Sequence, residues 1–398
     1  MDELRYADYC KNHILNDIMP FWDKRCIDKE YGGYFTCFDR EGNLTDDKKY
    51  IWFQARQLYV YSLLYNRIEQ RAEWLDMAKH GLKFLLEKAY AGKGRWNYRL
   101  TREGKVLVGT TSIYADFHAI QGLAEYLHAV NNDDEECLRV LNESYDTLEV
   151  NMFDPYFKDI YENTWDERYI WHDMYMTCLS AVVPCIPVLG PHRTEKLLNE
   201  CLEKICNWFA RDEEQVVFEA VTRDNKVDMS TPLSRFVNPG HMMESAWFML
   251  YICESLNYSK IKERALQISD WAYQIGHDFE MGGMFSYADA SRIEPVAVDW
   301  FKETNSLWDD KVWWTNAEAL CGFALSYEKS GEKRYYERFV DQIEYCRNHF
   351  YDEQYGEWYE RLWRDGSIKN PAKGTEWKCA FHLVRALVFV QEALGKMA

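Results

Sequence analysis

Apolar positions recur at helical spacing over most of this chain. They return every three or four residues over 3–22, 50–69 and 71–89, then over 113–130, 134–152, 168–189 and 193–211. The same spacing resumes over 239–256, 259–277, 311–330, 332–350 and 376–396. Such a period puts the apolar side chains on one helix face, so the pattern predicts twelve helices in six consecutive pairs. Between pairs the period drops to two. "YGGYFTCFDREGN" (31–43), "GRWNYRLTREGKV" (94–106), "VVFEAVTRDNKV" (216–227), "GGMFSYADASR" (282–292) and "YGEWYERLWRDGS" (355–367) alternate apolar and polar residues. Each ends in charged residues with Gly, Asn or Ser, which reads as a short strand and a turn. The cassettes start about 60–70 residues apart, with a degenerate copy, "DPYFKDIYENTWDE", in the slot near 155. Self-similarity at a fixed long period is the mark of a repeat architecture.

Six helical hairpins in tandem form either an open solenoid or a closed ring. A solenoid needs polar capping repeats at its ends, and here the terminal helices are as apolar as the middle ones. The expected fold is therefore all-α, an (α/α)6 barrel whose cassettes gather at one mouth around a central cavity. No Ser/Gly-rich linker interrupts it, so residues 1–398 are expected to form a single catalytic domain.

Composition narrows the partners. The formal charge is −18, which disfavours nucleic acid, whose phosphates attract basic surfaces, and an anionic membrane by the same sign. No segment approaches the roughly 18 apolar residues of a membrane span, and the opening "MDELRYADYCKNHILNDIMPFW" lacks a basic-then-apolar signal pattern. The 12 cysteines are scattered, without a C-x-x-C pair, so a reduced cytoplasmic protein is expected. Aromatic residues reach 16%; they suit a packed core and equally the apolar faces of sugars.

Two histidines stand at helix entrances. In "NPGHMMESAWFML" (238–250), Asn238 is a favoured N-cap and Pro239 fits the first helical position. His241 then lies in the first turn, where the positive end of the helix dipole favours a neutral ring. Glu244, three residues on, shares its face and is placed to hold the other ring nitrogen. In "GTEWKCAFHLVR" (374–385), His382 enters another apolar helix, with Trp377 before it and Arg385 after. A lone helical histidine is more often a packing residue than a catalyst. Two at similar entrances, in a fold that encloses a cavity, point to a ligand between them. Arg56 lies among aromatics in "WFQARQLYVY", where it either pairs with an acid or meets a ligand oxygen. Trp313 and Trp314 point in different directions, so at most one faces a ligand while the other packs. Tyr114 and Asp116 open the fourth helix. The sequence holds no metal-ligand pattern, Walker loop, GxGxxG or Gly-x-Ser-x-Gly, which excludes the usual zinc hydrolases, P-loop enzymes, Rossmann dehydrogenases and α/β-hydrolases.

The motifs "YGGYFTCFDREGN", "DDKKYIWFQARQLYVY", "NPGHMMESAWFML", "KVWWTNAEAL", "YGEWYERLWRDGS" and "KCAFHLVR" follow one another in an order that resembles the N-acylglucosamine 2-epimerase family almost end to end. That resemblance implies an (α/α)6 barrel isomerase acting on free sugars without metal or redox cofactor, with a nucleotide such as ATP at most an effector. Family members are often dimers, which makes a homodimer an expectation. The resemblance implies His241 and His382 as the acid/base pair and Arg56 as a substrate ligand near C1–C2. It places Glu244, Trp314 and Trp377 close to the substrate or the catalytic groups; Tyr114, His172 and Asn238 complete the candidate binding set.

There are two departures. Related isomerases and cellobiose epimerases carry a further histidine on the sixth helix. Here "WHDMYM" has Tyr175 in that place and His172 almost a turn earlier, which slightly favours acetylglucosamine epimerases. Those epimerases tend to carry Pro-His after the Trp pair, where this chain has "TN". The leading expectation is interconversion of N-acetylglucosamine and N-acetylmannosamine by two histidines acting on opposite faces of C2. The alternatives are an aldose–ketose isomerase or 2-epimerase of mannose, glucose or cellobiose, and a non-catalytic sugar- or protein-binding relative. A glycosidase would instead need two facing carboxylates.

Overall fold

The twelve expected helices are present in the computed structural model, which describes residues 2–154, 157, 168–253, 259–296 and 307–398. They are α1 (Asp2–His13), α2 (Ile51–Arg67), α3 (Ala72–Phe84), α4 (Ile113–Ala129), α5 (Glu135–Phe153) and α6 (His172–Val182). There follow α7 (Pro191–Glu203), α8 (Pro239–Ile252), α9 (Ser259–Gly276), α10 (Trp313–Ser330), α11 (Lys333–His349) and α12 (Phe381–Met397). The outer helices α1, α3 and α7 run on into wide π-type turns at Ile14–Ile18, Leu85–Ala89 and Lys204–Phe209.

The even-numbered helices form a ring. Contacts run α2–α4, α4–α6, α6–α8, α8–α10 and α10–α12, and α12 returns to α2. Their sequences explain the inner position. A helix between two neighbours and an outer partner needs apolar residues nearly all round, and in α4 every residue but His128 is buried. The odd-numbered helices show one buried stripe, as α11 does with Tyr335, Phe339, Ile343 and Cys346, and they pack outside the ring. Residues His172–Leu189 are apolar enough by composition to cross a bilayer; here they form a wall of the ring and its continuation, with His172 and Asp173 at the start. At one point α4 touches backbone. A Cβ on Gly122 would stand 2.6 Å from the Ala55 carbonyl oxygen, so glycine sets how closely α4 and α2 approach.

The cassettes are strands of two or three residues joined in small antiparallel sheets. The degenerate copy at 154–167 lies for the most part outside the described residues. Three cassettes share an ionic staple. Asp28 accepts from the backbone N–H groups of Glu30 and Tyr31, then binds Lys49 at 3.0 Å and Arg102 at 2.9 and 3.1 Å. Asp278 does the same with Lys311 at 3.0 Å and Arg364 at 2.8 and 3.1 Å. Asp352 binds Lys373 at 3.0 Å and Arg40 at 2.8 and 3.1 Å. The lysines are fully buried, so each needs its carboxylate. The third staple joins the last cassette to the first. With the Phe38–Gly374 bridge and the packing of α1 on α12, it closes the seam of the ring.

Candidate active site

The first turns of the inner helices supply the side chains at one end of the ring. Trp52, Tyr114, Asp173, Trp314 and His382 are each the second residue of their helix, and His241 is the third of α8. Trp314 stands between the histidines, with ring centroids 5.3 Å from His241 and 5.5 Å from His382. The sequence allows this at Gly240: a Cβ there would lie 2.4 Å from the Trp314 ring. Trp313 is buried beside it.

Each histidine has its own carboxylate. Both Glu219 oxygens lie 3.1 Å from His241 Nδ1. Burial works against a charged His241, but the Glu219 carboxylate outweighs it and lifts the pKa to about 9. His241 is therefore an imidazolium at neutral pH, not the neutral ring expected from its helix position. A dipole contributes about 0.3–1 kcal/mol at such a site, and an ion pair in a poorly hydrated pocket exceeds that. Glu219 in turn is held at about 2, against the effect of its burial, by His241 and His172.

His382 is the reverse case. Its Nδ1 donates to Glu318 Oε1 at 2.7 Å. Burial drives its pKa well below the usual histidine value; Glu244 opposes this, while Arg56, Arg385 and His241 reinforce it. The ring is neutral, with its proton on Nδ1 towards Glu318 and its lone pair on Nε2. Beneath it Arg385 spans the ring, bonded to Glu318 at 2.7 Å, to Glu244, and to Ser180 Oγ at 3.3 Å. Trp247 Nε1 donates to the second Glu318 oxygen at 2.8 Å. Glu244 thus serves Arg385 and the His382 side, not His241 as expected, because Glu219 already takes His241 Nδ1.

Arg56 meets a histidine and aromatic faces. Its Nε donates to His118 Nε2 at 3.2 Å, and His118 Nδ1 meets Gln121 Oε1 at 3.2 Å. Its guanidinium lies over Phe381, 4.8 Å from the ring centroid, and beside Trp52. Burial lowers its pKa to about 10, which still leaves it charged.

Three binding candidates take other places. His172 is fully buried, between Glu219 Oε1 at 3.2 Å and Ser245 Oγ at 2.8 Å; it braces Glu219 and does not face a ligand. Asn238 uses its side-chain oxygen as the N-cap of α8, accepting from Gly240 N at 3.0 Å and His241 N at 3.3 Å. Trp377 precedes α12, which starts at Phe381 and not at 376; it is half-exposed at the mouth, edge-on to Trp52 at 5.7 Å. Tyr175 packs on Phe209 of the outer layer, so it does not replace the absent helix-6 histidine. Tyr114 donates to Asp173 Oδ2 at 2.7 Å, and Asp116 is held by Arg95 and the Trp96 N–H.

Donor atoms of His172, Glu219 and His241 lie within 4.8 Å of one another, as do those of Glu244, Glu318 and His382. In the first set both Nδ1 atoms are engaged by Glu219. In the second Arg385 occupies the carboxylates. A cation at either would have to displace those bonds. Glu219, Glu318, Arg385 and His118 were not among the expected site residues. The available signal was a lone charge inside an otherwise apolar run, as in "NAEALCGFAL", "HLVRALVFV" and "VVFEAV".

The family model described as N-acylglucosamine 2-epimerase (GlcNAc 2-epimerase) matches residues 33–386, spanning both histidines, Arg56 and the carboxylates that hold them. The chain belongs to that family. It is similar to the human N-acylglucosamine 2-epimerase, 30% identical over 96% of this chain and 89% of that protein. It is also similar to the cellobiose 2-epimerase of Dictyoglomus turgidum, 24% identical over 93% and 94%. The solved cellobiose 2-epimerase of Bacillus thermoamylovorans superposes with a TM-score of 0.84 at 19% identity, covering 98% of this chain and all of that one. Its likeness bears on the fold, an (α/α)6 barrel. The protein is thus an enzyme of a family whose named members are epimerases.

Proposed function

We propose that this family member is a 2-epimerase of a free aldose, with N-acetylglucosamine and N-acetylmannosamine as the pair it interconverts. One observation carries the reading: two histidines, one cationic and one neutral, flank Trp314, each fixed by its own carboxylate. Epimerisation needs this pair. In the open-chain sugar the aldehyde acidifies the C2 proton. Neutral His382 takes that proton with Nε2, and Glu318 and Arg385 hold the ring in the tautomer that leaves Nε2 free. The electron pair moves into an enediolate, whose O1 charge Arg56 balances. The His241 imidazolium then returns a proton to the opposite face of C2, and Glu219 stabilises it until transfer. The reverse reaction exchanges the roles. The carbonyl itself stabilises the carbanion, so this chemistry requires neither metal nor redox cofactor. The similarity to N-acylglucosamine 2-epimerases supports the acetamido sugars as first substrates.

Proton NMR in D2O tests the reading, with N-acetylmannosamine, N-acetylglucosamine, mannose, glucose and cellobiose offered separately. The C2 proton signal of an acetamido sugar should vanish as the 2-epimer appears. His241→Ala and His382→Ala should each reduce this at least ~100-fold without altering the fold. Ketose formation would reassign the site to aldose–ketose isomerisation. An absence of exchange with every sugar would favour a binding protein.

A further inference from the structure

The C2 reaction needs an aldehyde, yet sugars of this class rest as closed rings. Opening requires one group that removes the proton from O1 and another that delivers a proton to O5. Neither His382, neutral and placed for C2, nor Arg56, always charged, can do both.

Asp173 meets the first requirement. It opens α6 at the level of the other first-turn residues, beside the His172–Glu219–His241 group. Tyr114 donates to its Oδ2 at 2.7 Å, and its Oδ1 is buried with no hydrogen-bond partner among the described residues. A buried carboxylate oxygen without a donor is costly; a proton or a ligand hydroxyl would satisfy it. The groups acting on Asp173 are Glu219 from its cassette, His241 from α8, Tyr114 from α4 and His172 from α6. Burial first, then Glu219, raises its pKa to about 6, against His241, Tyr114 and His172. It can therefore both hold and release a proton near neutrality.

We propose that Asp173, steadied by Tyr114, is the base that opens the sugar ring, with His241 as the acid. The inference rests on the epimerase reading above. The Asp173 carboxylate takes the O1 proton. The O1 electron pair forms the aldehyde C=O, the C1–O5 bond breaks, and its electrons go to O5, which takes the proton from His241 Nε2. Asp173 is now a neutral acid and His241 a neutral ring. The proton then passes from the more acidic carboxyl to the more basic imidazole. That restores the imidazolium that the C2 step needs and frees Asp173 for reclosure. In sum the O1 proton has moved to O5, and no other reactant is consumed.

Interconversion of the sugar's anomers reports ring opening independently of C2. It is measured by magnetisation transfer between the two anomeric proton signals, for wild type, Asp173→Asn and Asp173→Ala. Wild type should accelerate the exchange. Asp173→Asn should lose at least ~100-fold of the enzymatic acceleration, with its melting temperature unchanged. Added formate should restore exchange to Asp173→Ala but not to Asp173→Asn, because the cavity left by alanine admits a replacement carboxylate. The inference is overturned, with the epimerase reading intact, if Asp173→Asn opens the ring at the wild-type rate. It is equally overturned if wild type epimerises the sugar without speeding its anomers, or if formate leaves Asp173→Ala unchanged. A wild-type enzyme that neither opens nor epimerises any sugar tried overturns both.

Discussion

Replacing Glu219 by Gln tests the electrostatic design of the site. Glu219 lies 3.1 Å from His241 Nδ1 through either oxygen and holds that pKa at about 9 in place of 6.5. At about 1.4 kcal/mol per pKa unit, this amounts to roughly 3 kcal/mol in favour of the charged ring. A glutamine keeps the shape and removes the charge. Burial then acts with less opposition, and His241 should titrate below 6.5. The stability consequence has a definite window. His241 is more basic when folded than unfolded, so its contribution is complete below pH about 6.5 and disappears as pH rises through about 9. Glu219 is more acidic when folded, at about 2, so its contribution is complete above about 4.5 and disappears as pH falls towards 2. The pair is one interaction seen from both partners, at full strength between about pH 4.5 and 6.5. Glu219→Gln should therefore cost most stability there. Turnover at pH 7.5 should fall at least ~100-fold, because the imidazolium that reprotonates C2 is gone. The measurements are a histidine NMR titration and the pH dependence of C2 exchange. A variant in which His241 still titrates near 9, or whose basic limb stays where the wild type has it, would refute the reasoning.

Two further outcomes follow from other parts of the structure. Arg56→Ala should reduce C2 exchange by ~100-fold or more with little change in melting temperature, since Arg56 meets His118 and aromatic faces; loss of stability with normal exchange would make it a packing residue. Asp352→Asn should destabilise by about 3–5 kcal/mol in denaturant unfolding, because Lys373 and Arg40 lose their shared carboxylate. The acids of the three staples are held below the ordinary range despite burial, Asp28 at about 2. They stabilise above pH about 4 and cease to do so as pH falls through their folded values, so acid unfolding should begin at a higher pH in Asp352→Asn.

The helices and their pairing were legible because burial on a ring imposes a period that every residue of a helix repeats. The placement of His241 was legible too, because Asn238-Pro239-Gly240 is a local capping signal. Its charge was not. Glu219 is 22 positions away, in the bend between two short strands, and only the packing of that cassette on α8 brings them together. The same holds for Arg385, which lies three residues after His382 yet reaches Glu244 and Glu318 on two other helices. His172 and Asn238 were legible as polar residues near the site, but not as satisfied ones; that depends on Ser245 and on the cap geometry.

The seam has a consequence for the order in which the molecule assembles. Arg40 finds Asp352, and α1 finds α12, only across more than 300 residues of chain. During synthesis the first helix and first cassette emerge long before their partners exist, and their apolar stripe stays uncovered meanwhile. Contacts of such separation form late and leave intermediates prone to aggregate. The hairpins in between can settle on their neighbours as they appear, but the circle is completed last. Chains halted before the final hairpin would thus accumulate as sticky open arcs needing chaperone protection.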